Sequence, residues 1–289
     1  MIAIFNGISV GRPCVQTDGG SLLLDQYGTD VLAAYSLRKL SSSYGGSAIR
    51  VRRDTDNAEQ DIGFDSNGDL DTSALTAFVP DNGYVVKWYD QSGNSRDGTQ
   101  TTAIFQFSIV TSGVVETSGG VPAISGGTSG RNLVISSFPT TSQPITTFDV
   151  YAYNGSGTDT TWISRVDSTN FIKIDYKRFL YVGILSGFGG TTINQIGNIA
   201  HGASTTPHVF TRMMNGASSI VRVDQVAEGT ISGGDWVRTG AQMGPDTRIG
   251  TTGTPTFYDK LSEIIIFGAD KTSDFTGIED DMKTYYSTP

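Results

Sequence analysis

Three arginines fall within four residues in the stretch AIRVRRDTDNAEQDIG, residues 48–63. Arg50, Arg52 and Arg53 are followed at once by Asp54, Asp56, Glu59 and Asp61, and the block VVKWYDQSGNSRDGTQ adds Asp90 and Asp97. A guanidinium cluster of this kind could bind phosphate, hold a substrate carboxylate or pair internally, because its planar fork fits any carboxylate bidentately. On a strand, Arg50 and Arg52 share one face and Arg53 takes the other. With acids in ample supply alongside, the spacing predicts an internal arginine–carboxylate network of Arg50, Arg52, Arg53, Asp61 and Asp90 that fixes long loops beneath the sheets. A ligand site is the alternative reading. Nucleic acid is disfavoured by the bulk charge. The 20 Lys and Arg against 29 Asp and Glu leave a net −9, the wrong sign for displacing phosphate counterions or for an anionic membrane.

Other groupings carry less chemistry. DSNGDLD, residues 65–71, alternates carboxylates and amides as a calcium loop does, but Leu70 stands where an EF-hand needs glycine and no bidentate Glu follows. An Asn-Gly turn leading to a helix capped by Asp71 or Thr72 is the simpler reading. His201 and His208 are the two histidines, and no Ser–His–Asp order is built around them. Paired glycines lack the Lys-Ser/Thr of a phosphate loop. The one cysteine, Cys14, excludes an internal disulfide and a cysteine metal site. Neither a metal nor a cofactor is expected.

The 289 residues include 36 glycines and only 17 % charged residues, a composition of short strands joined by tight turns. TTFDVYAYN, NFIKIDYKRFLYVGI, SSIVRVDQV and KLSEIIIFG alternate with period two. Helices are expected over 30–44, where Leu32, Ala33, Leu37 and Leu40 fall near helical spacing behind Asp30, over 72–79 before Pro80, and near the end, where Phe275, Ile278, Met282 and Tyr285 share a face. The expected fold is all-β: a concanavalin A-like or jelly-roll sandwich of two antiparallel sheets with a few peripheral helices, one domain over 1–289. Residues 1–20 read as a first strand or as a docking arm. No leader and no membrane-spanning run is evident.

GRPCV, AYSLRKLSSSYGGSAIRVRRDTDNAEQDIG and WYDQSGNSRDGTQ together resemble the catalytic module of the arabinofuranosidase B family, densely over residues 11–100 and again at RIGTTGTPTFYDKLSEIII. The resemblance implies a concanavalin A-like sandwich that removes terminal arabinofuranose with retention. The IRVRR and WYDQSGN blocks also look like a module of tailed-phage virion proteins. Retaining hydrolysis needs two carboxyl groups about 5 Å apart. In the family the nucleophile is a Glu on a strand whose best match here is FIKIDYKRFLY, residues 171–181. The match keeps Asp175 but sets Lys177 in place of the Glu and Arg178 after it. The family's acid/base Asp is replaced by Thr252, and its adjacent cysteines are absent. Trp162 aligns with an aromatic that walls the family's sugar pocket.

An ammonium cannot form a glycosyl ester, and it opposes an oxocarbenium-like transition state. Trp162, Asp175 and Lys177 therefore read as a residual glycan-binding pocket, or else as a core aromatic and surface strand residues. The resulting expectation is a non-enzymatic phage virion protein (capsid decoration, head fibre or tail component). It would assemble in the host cytoplasm as a homo-oligomer with other virion proteins, with host surface glycans as a further candidate partner. The alternative is a glycoside hydrolase on arabinose-bearing polysaccharide, using Asp175 with Asp246 or Asp259.

Overall fold

Glycines and polar turns cut this chain into short extended segments. The computed structural model describes them at residues 21–126, 130–152, 159–177, 181–188, 190–196, 205–227, 237, 239–250 and 260–289. Helix α1 (Leu23–Tyr27) precedes strands β1 (Val31–Ser36), β2 (Ile49–Arg53) and β3 (Glu59–Ile62), and helix α2 (Thr72–Phe78) follows. Next come β4 (Gly83–Trp88), β5 (Gly98–Thr99), β6 (Phe107–Thr111), β7 (Val114–Val115), β8 (Thr117–Ser118), β9 (Val121–Pro122), β10 (Ile124–Ser125) and β11 (Asn132–Ile135). The long strands are β12 (Ile145–Ala152), β13 (Asp159–Arg165), β14 (Phe171–Lys177), β15 (Tyr181–Phe188), β16 (Thr191–Ile196) and β17 (His208–Met214). The chain closes with β18 (Ile220–Val223), β19 (Val226–Ala227), β20 (Asp246–Gly250), β21 (Lys260–Phe267) and helix α3 (Phe275–Tyr286).

The strands pair antiparallel in two layers. One runs β3–β2–β4–β6–β10–β21–β12–β17–β18–β19, with β1 also on β21. The other runs β5–β11–β20–β13–β14–β15–β16. They part at β4, whose first half pairs β6 and whose second half pairs β5. Between the layers lies one core. Val51, Val85, Trp88, Phe107, Ile124 and Ile264 come from the first layer, and Leu133, Ile135, Ile172 and Ile249 from the second. A second core covers the outer face of the first layer, where Phe275, Ile278, Met282 and Tyr286 of α3 pack with Phe148, Val150, Ile265 and Phe267. This is the expected concanavalin A-like sandwich with peripheral helices.

The helix expected over 30–44 is not formed. Asp30 adopts φ 64°, and Val31–Ser36 is a strand paired with β21. β1 sits between both cores, Ala33 and Tyr35 on one and Ala34 on the other. A strand buried on both faces reads as a continuous apolar run, which spacing alone does not separate from a helix. NFIKIDYKRFLYVGI likewise divides into β14 and β15, which pair with each other. The helix expected at 72–79 forms, and Asp71 Oδ1 accepts the Ala74 N–H at 2.8 Å. Asp71→Ala is expected to cost about 1 kcal/mol, read as a lower urea midpoint with unchanged slope.

Candidate functional site

Register and connectivity bring several connections of the chain to one end of the sandwich. β12 ends at Ala152 opposite Lys260, where β21 begins, and Ser125 of β10 pairs the same lysine. β11 begins at Asn132 opposite Gly250, the last residue of β20. β13 begins at Asp159 opposite Tyr176, near the end of β14. The connections 126–131, 153–158, 178–180 and 251–259 therefore all leave strands at this end. Gly250 is required here: φ is +84°, and a Cβ would lie 2.3 Å from the Arg131 carbonyl oxygen.

Asp175 stands opposite Thr160 and Gly183, Lys177 opposite Tyr181, and Trp162 opposite Ile174 and Ile249. All three predicted site residues thus belong to adjoining strands, with Asp175 and Lys177 at the loop-bearing end. Asp246 does not join them. It pairs opposite Arg165, five residues along β13 from Thr160, which at about 3.3 Å per residue is roughly 16 Å. Its carboxylate is held by Arg165 Nε and, at 2.9 Å, by Arg248 Nε. Burial would raise this carboxyl, and the two guanidiniums more than reverse it. Thr252, Asp259 and His201 lie outside the described residues, as do Cys14 and the segment 1–20.

A charged cluster occupies the same end. Lys260 Nζ donates to Glu116 Oε2, and Thr111 Oγ1 donates to Glu116 Oε1 at 2.5 Å. Burial pushes the Glu116 carboxyl up, but these donors outweigh it and keep the group below the ordinary range. Two guanidiniums approach the Tyr84 ring, Arg52 at 4.9 Å and Arg131 at 5.6 Å. Burial lowers Arg131, with Tyr84 and Glu116 opposing. Among the described residues, its Nε and Nη1 are buried without a hydrogen-bond partner. Nearby, His208 Nδ1 and Asp224 Oδ2 are 2.5 Å apart.

The predicted arginine network resolves into separate pieces. Arg50 binds Asp61 bidentately at 2.8 Å, and Tyr89 Oη donates to the same carboxylate. This pair is on the surface, its side chains 40 % and 38 % exposed. Arg53 pairs with Asp56. Arg52 donates to Gln106, Asn57 and Asp54. Asp90 accepts the backbone N–H groups of Ala34, Ser92 and Arg96, so it pins the 90–97 loop to β1.

Two buried ionic groups are not apparent from charge clusters. Glu263 is fully buried and accepts from Arg38 Nε at 2.9 Å, Ser36 Oγ at 2.7 Å and Tyr286 Oη at 2.8 Å. Arg38 also reaches Asp281. Asp149 and Arg212, both fully buried, pair between β12 and β17. The usable signal is a lone charge inside an apolar strand, as in LSEIIIF, TTFDVYA and FTRMM. Among the described residues, no group of three metal-ligating side chains is found.

Two antiparallel layers around one core, with short helices outside, define a concanavalin A-like β-sandwich. The family model described as the catalytic module of α-L-arabinofuranosidase B matches residues 23–119. No curated protein matches the sequence. Among solved structures, a GH54 α-L-arabinofuranosidase soaked with a cyclic sulfate inhibitor is similar at TM-score 0.64 and 13 % identity, over 90 % of this chain and 64 % of that one. An arabinofuranosidase complexed with arabinofuranosyl-α-1,2-xylobiose is similar at TM-score 0.57 and 14 % identity, over 92 % and 65 %. This chain spans slightly less than two thirds of each enzyme.

The chain is thus a β-sandwich related to arabinofuranosidase catalytic modules. The matched family is a catalytic one, and the similar structures are arabinofuranosidases. These findings overturn the expectation of a non-enzymatic virion protein, its placement on a phage particle, and the inference from Lys177 and Thr252 that activity is lost. The physical reason lies in where the phage-like blocks fall. IRVRR is β2, and WYDQSGN runs from β4 into the 90–97 loop. Those elements build the corner from which the layers part, and such scaffold is compatible with any function its loops carry.

Proposed function

We propose that this chain is a carbohydrate-active domain of the glycoside-hydrolase type that cleaves terminal arabinofuranosyl groups, with its site at the loop-bearing end. The observation that carries this reading is the match of a catalytic arabinofuranosidase module together with the fold likeness to arabinofuranosidases over nine tenths of the chain. Hydrolysis of a glycosidic bond needs one carboxylate as nucleophile or base and one carboxylic acid to protonate the leaving oxygen. Asp175 supplies the first and Asp259 the second. Asp246 is too far along the sheet, whereas the 251–259 connection joins β20 to β21 where Asp175's strand also ends. Trp162, on the neighbouring strand β13, is the aromatic that the family resemblance assigns to the sugar subsite.

The test is incubation of the folded protein with 4-nitrophenyl α-L-arabinofuranoside, followed by absorbance of the released nitrophenolate. Turnover at least about 10⁶-fold above the uncatalysed rate is expected. Folded protein that releases nothing above buffer from this compound, and no arabinose from arabinan or arabinoxylan, overturns the reading.

A further inference from the structure

A second polar cleft, of about 460 Å³, lies between the 65–69 turn, α2, the strands at 115–122 and the end of α3. Asp65, Asp69, Thr76, Val115, Pro122 and Tyr285 are among its walls, and among the described residues no Lys or Arg lines it. The acids are fixed in advance. Asp65 Oδ1 accepts the N–H groups of Asn67 and Asp69 at 2.8 and 3.0 Å. Asp69 Oδ1 accepts Tyr285 Oη at 2.5 Å, and the Arg38 guanidinium sits 4.6 Å from the Tyr285 ring. Among the described residues the second oxygen of each carboxylate has no protein hydrogen bond, and both residues wall the cleft. Burial, then the Asp69 contact, raises Tyr285 well above the ordinary phenol range, so it stays a neutral donor.

The geometry points to this cleft as a binding site for a neutral glycan chain. Two preset carboxylate oxygens and a row of hydroxyls suit sugar hydroxyls, which both donate and accept. Val115 and Pro122 offer apolar surface to the C–H face of a ring. The absence of any lining cation, together with two carboxylates, disfavours uronate or sulfated chains. The cleft meets the loop-bearing end along one short segment: Val115 and Thr117 line it, while Glu116 between them turns to Lys260. A polymer held here would extend past the proposed active site. The assignment of a polysaccharide rests on the function proposed above, but the binding itself does not.

Affinity electrophoresis in gels containing soluble neutral arabinoxylan tests it, with a polyuronate gel as control. Wild-type protein is expected to be retarded by arabinoxylan and not by polyuronate. Asp69→Asn and the exposed-wall plug Ser73→Trp should each weaken retention at least about tenfold, since losing a buried-side hydrogen bond or the space removes a contact of that size. Both variants should keep the native circular dichroism and leave turnover of 4-nitrophenyl α-L-arabinofuranoside unchanged. Retention unaffected by both substitutions, no retention at all, or equal retention by polyuronate overturns the proposal. Retention lost in the variants while wild-type protein cleaves no arabinofuranoside supports the cleft and refutes only the hydrolase reading.

Discussion

Glu263→Ala is expected to lower the unfolding free energy by about 3–5 kcal/mol, the cost of removing one partner of a buried ion pair. Glu263 has no exposed surface, and its oxygens accept from Arg38, Ser36 and Tyr286. Deleting it strands a guanidinium that is only 8 % exposed. Asp281, whose side chain is 34 % exposed, remains as a wet and weaker partner. Burial disfavours the Arg38 cation, but Glu263 first, then Asp281 and Tyr286, outweigh it and raise its proton affinity. The damage also spreads to α3, because Tyr286 and Asp281 attach the helix to β21 and to the segment after β1. Domains of this kind are stable by about 5–15 kcal/mol, so a large part of the margin goes. Urea denaturation monitored by tryptophan fluorescence gives the measurement. The double variant Arg38→Met with Glu263→Leu separates charge stranding from lost packing, and is expected to lose markedly less than Glu263→Ala because no buried charge remains. A single variant within about 1 kcal/mol of the parent would show that water reaches Arg38.

The same residues show why sequence reading reached the fold but not its ionic interior. Period-two alternation is visible wherever one face of a strand meets core and the other meets solvent. IVRV, residues 220–223, is such a case, with Val221 and Val223 buried beside partly exposed Ile220 and Arg222. β1 lies between two cores, with Ala33 and Tyr35 on one and Ala34 on the other, so the alternation vanishes and VLAAYS looks helical. α3 was legible because it covers the sandwich with one face only. The arginine run at 50–53 attracted attention by density, yet its densest pairs, Arg50–Asp61 and Arg53–Asp56, are surface pairs of the kind worth about 0–1 kcal/mol. Glu263, Asp149 and Arg212 are isolated in sequence by tens of residues from their partners, and only the register of β1, β12, β17 and β21 brings them together. For the candidate site, the family resemblance pointed to Asp175 and Lys177 but left Asp246 as an equal companion. The separation of Asp246 follows from the β13 ladder alone, which no single-strand pattern encodes.

That ladder sets the second large effect. Asp175→Asn is expected to reduce arabinofuranoside turnover by about 10²–10⁴-fold, the range for removing a positioned acid–base carboxylate, with KM little changed. Asp246→Asn removes a carboxylate of equal charge about 16 Å further along the sheet, and is expected to leave turnover within about twofold. Its cost should appear in stability instead, since Arg165 and Arg248 lose their shared partner. The pair of variants distinguishes a local chemical role from a general electrostatic one. A diffuse negative field would respond similarly to either loss, screened alike by salt, whereas a nucleophile or base must touch the reacting atoms. Equal losses of turnover in both aspartate variants would displace the chemistry from β14 and require the carboxylates to be sought elsewhere on the loop-bearing end, with Glu116 the first to examine.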